Sequence, residues 1–331
     1  MQSSSKENTG LNFLKGIACL IVILLHCPIP GLLGNAIIYG LRFSVPIFFM
    51  ITGYFSYNKN RKWILKQIKK TLVLILQGEL ISGSVLFLLF LLERKNFSWI
   101  DFISQSTILY QSIRTLFFGS IFNSTLWYLY ALLWSFVILY LLNNLPTKIY
   151  NYFYFLVPML LLIHIGGRLY IQNHSDINKY IFLFRSSLLF GIPFVYLGRL
   201  ISQFKYIIKR FLTLKTTYCL LISGIAFQIL EFIIWRQYMD LQFSTIVISL
   251  ALFFLASEYW HPSSTSVITR LGRELSALMY ILHAPIINIV NFILPAGSNL
   301  FLFFKPFIVI FSTCLCAYTI FTAKKLYAKT F

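Results

Sequence analysis

Two residues in the first apolar run of the chain could do chemistry. Lys15 and His26 lie in the stretch LKGIACLIVILLHCPIP, which begins at Leu14. At about 100° per residue, both side chains fall within about 20° of one helix face, roughly 16 Å apart along the axis. Lysine supplies a cation, and an imidazole can act as a general base or as a nucleophile. The alternatives are a lysine that extends to the membrane surface and a histidine that packs through hydrogen bonds.

The composition explains why these two residues require a reason. The chain has 331 residues, 58% of them hydrophobic, and long apolar runs recur from one end to the other. Such runs are typical of a multi-pass membrane protein and not of a soluble domain. An ionisable side chain inside a membrane helix costs roughly 2.5–3.5 kcal/mol on insertion scales. The polar stripe formed by Lys15 and His26 is therefore a candidate functional feature.

The apolar runs predict an all-α membrane protein with about ten transmembrane helices, in which residues 1–331 form a single membrane domain. No run alternates like the strand of a barrel, and an unsatisfied backbone is costly in lipid. The predicted spans are 10–27, 35–57, 69–92, 126–143, 149–166, 181–201, 216–235, 242–257, 274–293 and 300–322.

The charge distribution orients these spans. The net charge is +19, and the basic residues concentrate in segments 59–70, 199–215 and 324–329. The connections 28–34 and 294–299 carry no charge. An even number of spans with both termini in the cytoplasm satisfies the positive-inside rule. Membrane lipid explains the basic surface, so nucleic acid is not an expected partner.

Segment 94–125 differs from the apolar runs because it mixes aromatic and aliphatic residues with polar ones. It predicts an amphipathic helix at the outer interface or, alternatively, a long loop. The five cysteines lie in or beside apolar runs without the spacing of a disulfide framework or a metal site. No metal is expected.

Five motifs, in order along nearly the whole chain, resemble the acyltransferase 3 family. These integral membrane proteins transfer acyl groups to sugars outside the cytoplasm. The motifs are the Lys15–His26 pair, SVPIFFMITGYF from Ser44, LWYLYALL from Leu126, FRSSLLFGIPFVYLGRLIS from Phe184 and SALMYILHAP from Ser276.

The chain departs from the family pattern at three points. The family usually has arginine at the position of Lys15; lysine keeps the charge but loses the bidentate fork. An Arg-x-x-Arg pair followed by proline is matched here only by Lys66 and Lys69, without the proline. Thr52 stands where serine is usual.

The resemblance implies a membrane O-acyltransferase in a bacterial plasma membrane. Its donor would be cytosolic acyl-CoA, most often acetyl-CoA, and its acceptor a hydroxyl of a cell-surface glycan or of a lipid-linked sugar. Lys15, Lys66 and Lys69 would hold the donor phosphates, and His26 would be the catalytic base or the covalent acyl carrier. Substrate-binding or supporting residues would be Arg42, Glu79, Arg185, Trp127, Tyr280 and His283.

Two questions stay open at the level of the sequence. Glu79 and Glu231 would orient His26 or complete an acceptor site, or alternatively form structural ion pairs with Arg42 and Arg185. The second question is the class of protein, since a multi-pass transporter of a small solute or glycan would also place polar residues inside a bundle. The absence of a repeated pair of interrupted helices in the sequence disfavours the transporter.

Overall fold

Helices make up nearly all of the part of the chain that the structure describes. This structure is a computed structural model, and it describes residues 8–93, 119, 121–143, 147–174, 180–235, 240–294 and 299–330. The α-helices are α1 (Thr9–His26), α2 (Gly31–Gly40), α3 (Ser44–Ser56), α4 (Arg61–Glu93), α5 (Trp127–Leu142), α6 (Thr147–His174), α7 (Ile181–Phe184), α8 (Ile192–Gln203), α9 (Lys205–Phe211), α10 (Leu214–Trp235), α11 (Phe243–Glu258), α12 (Val267–Arg270), α13 (Ser276–Ile293) and α14 (Asn299–Thr330).

The length and hydropathy of these helices confirm an all-α, multi-pass membrane protein. Within the described ranges, eight helical segments are long and apolar enough to cross a membrane. They are α1, the α2–α3 pair, α4, α5 with the turn before it, α6, α10, the α12–α13 pair and α14. The bent segment from Ser187 to Phe211 makes a ninth if it is one span, and α11 has only 16 residues. The ten predicted spans all coincide with helices, but they are not ten straight helices of spanning length.

Two of the predicted spans are interrupted, and proline explains the first interruption. The predicted second span is broken at residues 41–43, and Pro46 lies at the start of α3. A proline lacks the amide hydrogen and its ring collides with the carbonyl four residues earlier, here that of Arg42. In the sixth span, residues Ser187–Gly191 form a π-helical turn before Pro193 at the start of α8. Both breaks lie just after or beside an arginine.

Helices α3 and α8 pack with their backbones in contact. A Cβ atom added to Gly53 would lie 1.9 Å from the carbonyl oxygen of Val195, and one added to Gly198 would lie 2.0 Å from that of Met50. Only glycine allows this approach, which is the packing mode that small residues permit between membrane helices. Gly53 and Gly198 thus hold α3 and α8 together at backbone contact.

The alternating direction of the helices sorts the polar residues into two ends of the bundle. The end of α1 and the starts of α3, α5, α8 and α11 lie at one end, called here the cavity end. The start of α1 and the basic segment around Lys62 lie at the opposite end, as do Lys205 and Glu258, which form an ion pair at 2.9 Å. Both termini facing the cytoplasm remains a prediction.

The predicted interfacial segment falls mostly outside the described residues, which omit 94–118 and 120. Its last part, from Ile121 to the 3₁₀ turn Ser124–Leu126, packs at the cavity end. There Asn123 accepts a hydrogen bond from the backbone amide of Thr125 at 2.9 Å, and its own amide donates to Ser82 at 3.1 Å. These bonds fix the chain immediately before α5.

Candidate active site

A cavity of about 230 Å³ opens at the cavity end of the bundle. Its lining comes from five separate parts of the chain, which the alternating helix directions bring together. The lining residues are Leu25, His26, Arg42, Val45, Ser124, Trp127, Arg185, Phe190 and Asp240. Four residues singled out from the sequence, namely His26, Arg42, Trp127 and Arg185, therefore share one site.

His26 is the last residue of α1 and is exposed to the cavity. The predicted first span, 10–27, placed His26 next to its last residue, and the helix ends at His26, with Cys27 and Pro28 in non-helical conformation. Lys15 lies eleven residues earlier on the same unbroken helix. The predicted separation of roughly 16 Å along one face is therefore kept.

His283, from the middle of α13, packs against His26. The two ring centroids are 5.2 Å apart and the ring planes are inclined by 41°. His283 is fully buried, and its Nδ1 lies 2.5 Å from the carbonyl oxygen of Tyr280. Because a carbonyl only accepts, this nitrogen carries the proton and Nε2 has the lone pair. That Nε2 is buried and has no hydrogen-bond partner among the described residues.

A layer of tyrosines supports His283 from the side of α5. The hydroxyl of Tyr280 donates to the carbonyl oxygen of Thr125, next to the cavity-lining Ser124. The rings of Tyr280 and Tyr128 meet edge to face, with centroids 5.4 Å apart. This arrangement ties the start of α5 to α13, so the wall of the cavity and the histidine behind it are held in one packed unit.

The charged part of the cavity is a cluster of two arginines on one carboxylate. Arg185 donates from Nη2 to Oδ1 of Asp240 at 3.0 Å and from Nε to Oδ2 at 3.2 Å. Arg42 donates from Nη1 to Oδ1 at 3.2 Å. The Arg185 guanidinium also lies over the ring of Trp127, 5.6 Å from its centroid. The cluster joins the break before α3, the break before α8 and the segment before α11.

Burial alone would raise the pKa of Asp240, whose side chain is only 9% exposed. The positive charges of Arg185 and Arg42 outweigh that effect and hold the pKa of this carboxyl well below its ordinary value. Asp240 therefore stays ionised at neutral pH and keeps both guanidinium groups in place.

Asp240 is the residue of this site that the sequence reasoning missed. It lies in the connection between two apolar runs, where a charged residue is ordinary. The usable signal was the scarcity of acids, since the chain has nine Asp and Glu against 28 Lys and Arg. An acid close to the start of an apolar run, at the same end as two arginines, is a natural counterion for them.

Both carboxylates considered from the sequence have partners other than those expected. Glu79 accepts hydrogen bonds from the backbone amides of Ile121 at 3.0 Å and Phe122 at 2.9 Å, and from the Tyr130 hydroxyl at 3.2 Å. It anchors the chain before α5. The predicted ion pair with Arg42 or Arg185 is wrong for Glu79, because both arginines bind Asp240.

Glu231 plays a similar part at the next helix. Its carboxylate accepts from the backbone amides of Phe243 and Ser244, each at 3.2 Å, and from the Ser244 hydroxyl. An acceptor at the exposed amides of a helix start is favourable, because those amides lack intrahelical partners. Glu231 thus fixes the start of α11, and His26, Arg42 and Arg185 are not among its partners in the described part of the chain.

The three candidate donor-binding lysines are not brought together by any described contact. Lys15 is half-buried in α1, whereas Lys66 and Lys69 are exposed near the start of α4. Between Lys15 and His26, the same face of α1 is buried against α13. Cys19 lies 3.7 Å from the carbonyl oxygen of Ser276 and 4.0 Å from the sulfur of Met279.

Comparison with known proteins agrees with this architecture. A family model of the acyltransferase 3 type, described as an acyltransferase domain, matches residues 8–322. No curated protein and no solved structure matches the chain. Among the described residues, no group of three or more His, Cys, Asp or Glu is arranged to hold a metal ion.

Proposed function

Because the chain belongs to the acyltransferase 3 family and is a membrane acyltransferase, we propose that it transfers an acyl group, acetyl being the expected one, from cytosolic acyl-CoA to a hydroxyl group. The acceptor is a cell-surface glycan or its lipid-linked precursor, and the enzyme resides in a bacterial plasma membrane. The observation that carries the proposal is the position of His26, which borders the cavity with the His283 ring directly behind it.

His26 is the group that handles the proton in this reaction. As a general base, its imidazole takes the proton of the acceptor hydroxyl while the oxygen attacks the thioester carbonyl. The new C–O bond replaces the C–S bond, and the CoA thiolate leaves and receives the proton. As a nucleophile, a ring nitrogen of His26 first attacks the thioester carbonyl, so that a C–N bond replaces the C–S bond and the CoA thiolate leaves. The acceptor oxygen then displaces the imidazole, and the hydroxyl proton passes to the released imidazole or thiolate.

His283 is well arranged to orient His26. A ring nitrogen lies about 1.1 Å from its ring centroid, so two imidazoles joined by a hydrogen bond of about 2.9 Å have centroids about 5.1 Å apart. The observed 5.2 Å matches that distance. A rotation of the His26 ring would let it donate to the lone pair of His283 Nε2. The other nitrogen of His26 then carries its lone pair towards the acceptor hydroxyl.

The position of Lys15 supports a binding site for the acyl-CoA donor at the end of the bundle opposite the cavity, called here the donor end. No hydrogen bond or ion pair of its ammonium occurs among the described residues, which suits contact with an absent anion such as a CoA phosphate. Lys66 and Lys69 contribute longer-range positive charge from the surface of α4. Because Cys19 is buried against α13, a donor arm on this face of α1 reaches His26 only by displacing that contact.

Replacing His26 by alanine tests the proposal. Acyl transfer should fall by about 10²–10⁴-fold, the usual contribution of a positioned acid–base group. His261→Ala is the matched control, because this histidine is exposed and distant from the cavity in the fold. The purified variants are compared for release of CoA thiol, formation of acylated acceptor, membrane yield and thermal stability.

Mass spectrometry of the protein quenched during turnover separates the two mechanisms, since only the nucleophile leaves an acyl group on His26. Full transfer activity in a stably folded His26→Ala protein would remove His26 from catalysis. The reaction would then need another base, and His283 is the nearest imidazole.

A further inference from the structure

Cationic side chains outnumber carboxylates among the described residues that line the cavity. Arg42 and Arg185 lie at this wall with the carboxylate of Asp240, and the other lining residues apart from His26 carry no titratable group. These described lining side chains sum to a charge of +1 when His26 is neutral. A cleft lined by an excess of one sign of charge favours a ligand of the opposite sign.

A third arginine lies beside the cluster. Arg168 of α6 is 6% exposed, and its guanidinium lies over the ring of Phe184, 5.9 Å from the centroid. Its Nε and Nη1 atoms are buried without a hydrogen-bond partner among the described residues. Because Phe184 directly precedes Arg185 in the chain, Arg168 adds positive charge to the surroundings of the cavity.

Arg185 is the arginine best placed to bind a ligand. It uses Nε and Nη2 on Asp240, and Nη1 has no partner among the described residues and is not buried. Asp240 and the ring of Trp127 hold the guanidinium plane, so little side-chain freedom is lost when a ligand binds. A planar, fixed guanidinium is the usual partner of carboxylates and phosphates.

We propose that the acceptor is anionic and carries a carboxylate or phosphate close to the hydroxyl that receives the acyl group. Arg185, with Arg42 beside it, binds this oxyanion and places the neighbouring hydroxyl at His26. The volume of about 230 Å³ equals that of roughly seven to eight liquid waters, which suits one sugar residue with its charged group. The inference rests on the proposed acyl transfer and specifies its acceptor.

The alternative is that the two arginines and Asp240 only tie three helix breaks together. In that case the cavity would not distinguish a charged sugar from a neutral one. Three small probes make the comparison with the full chain in detergent, namely methyl glucoside, methyl glucuronide and glucose 1-phosphate. The last two also distinguish a carboxylate from a phosphate as the preferred group.

Acetylation of each probe by acetyl-CoA is measured by mass spectrometry, and equilibrium binding of each probe is measured without donor. We expect at least one anionic probe to exceed the neutral glycoside by about tenfold or more in kcat/KM and in affinity. Arg185→Gln should lower the ratio of kcat/KM between the anionic and the neutral probe, mainly by raising the KM for the anionic probe. Arg185→Lys should restore part of that ratio. Arg270→Gln, which removes an exposed cation of a surface ion pair, should leave the ratio unchanged.

Equilibrium binding of the anionic probes shows at which end of the molecule they bind. Because binding is compared between two variants, the test does not depend on the folding of either one alone. If anion binding disappears in Lys15→Gln but survives in Arg185→Gln, the probe occupies the donor end and the inference is overturned. Equal use or equal binding of neutral and anionic probes by the parent protein overturns it as well, while acyl transfer itself stands. Preferential anion binding with no transfer to any probe supports the anion site and counts against the proposed reaction.

Discussion

Replacing His283 by phenylalanine should separate an orienting role from a packing role, because the two roles predict different results. Phenylalanine keeps an aromatic ring in the buried position against His26. It removes the hydrogen bond from Nδ1 to the Tyr280 carbonyl, worth about 0.5–1.5 kcal/mol. It also removes the buried Nε2 that has no described partner, which relieves about 1–3 kcal/mol. The two effects oppose each other, so the free energy of unfolding should change by no more than about 2.5 kcal/mol.

The effect on catalysis should be larger than the effect on stability. A hydrogen bond to a charged group contributes about 1.5–3 kcal/mol, and His26 becomes charged when it takes the hydroxyl proton. At 1.36 kcal/mol per factor of ten, losing this bond lowers kcat by about 10- to 150-fold. The KM value for the acceptor should stay within a few-fold, because His283 is buried and does not line the cavity.

Steady-state kinetics and thermal unfolding of the purified variant provide the measurement, with His261→Phe as the control. An unchanged kcat in a folded His283→Phe protein would refute the orienting role. A loss of activity that follows a loss of thermal stability would assign His283 to packing.

Two further predictions concern the donor end and the helix packing. Lys15→Gln should raise the KM for acyl-CoA by about tenfold or more, whereas Lys15→Arg should keep this KM within a few-fold of the parent value. Replacing the exposed Lys66 by glutamine should change the KM less than about fivefold. If a binding assay finds equal donor affinity for the parent protein and Lys15→Gln, Lys15 is only a surface anchor. Gly53→Ala should destabilise the protein by about 1–3 kcal/mol or more, because the added Cβ would lie 1.9 Å from the Val195 carbonyl oxygen. Gly166→Ala is the control, since a Cβ added there meets nothing within 4 Å. Equal thermal unfolding temperatures of the two variants would contradict this packing.

The sequence alone was sufficient to predict the helices. It was also sufficient to predict at which end of the bundle each candidate residue of the cavity lies. Long apolar runs dictate helices in lipid, and successive helices alternate in direction. Counting spans therefore puts His26, Arg42, Trp127 and Arg185 at the same end, and the structure brings them around one cavity.

Partner choice among the charged residues could not be predicted in the same way. Glu79 binds backbone amides more than 40 residues away, in a segment without a helical or strand pattern. Periodicity contains no information on which carboxylate meets which donor, because that depends on the lateral arrangement of helices. For the same reason the sequence suggested Glu79 or Glu231 as the partner of the arginines, and the structure has Asp240.

The cavity takes its charges from interruptions of helices and not from helix interiors. Arg42 lies in the break at 41–43, Arg185 lies in the turn between α7 and the π-helical turn, and Asp240 precedes α11. A charged side chain on an unbroken helix is directed sideways to a neighbouring helix or to lipid, whereas one at a break is free to turn towards the bundle axis. Pro46 cannot donate a hydrogen bond to the Arg42 carbonyl, so helical hydrogen bonding is interrupted at the first of these arginines. The breaks thus make possible the convergence of two guanidinium groups on one carboxylate beside His26.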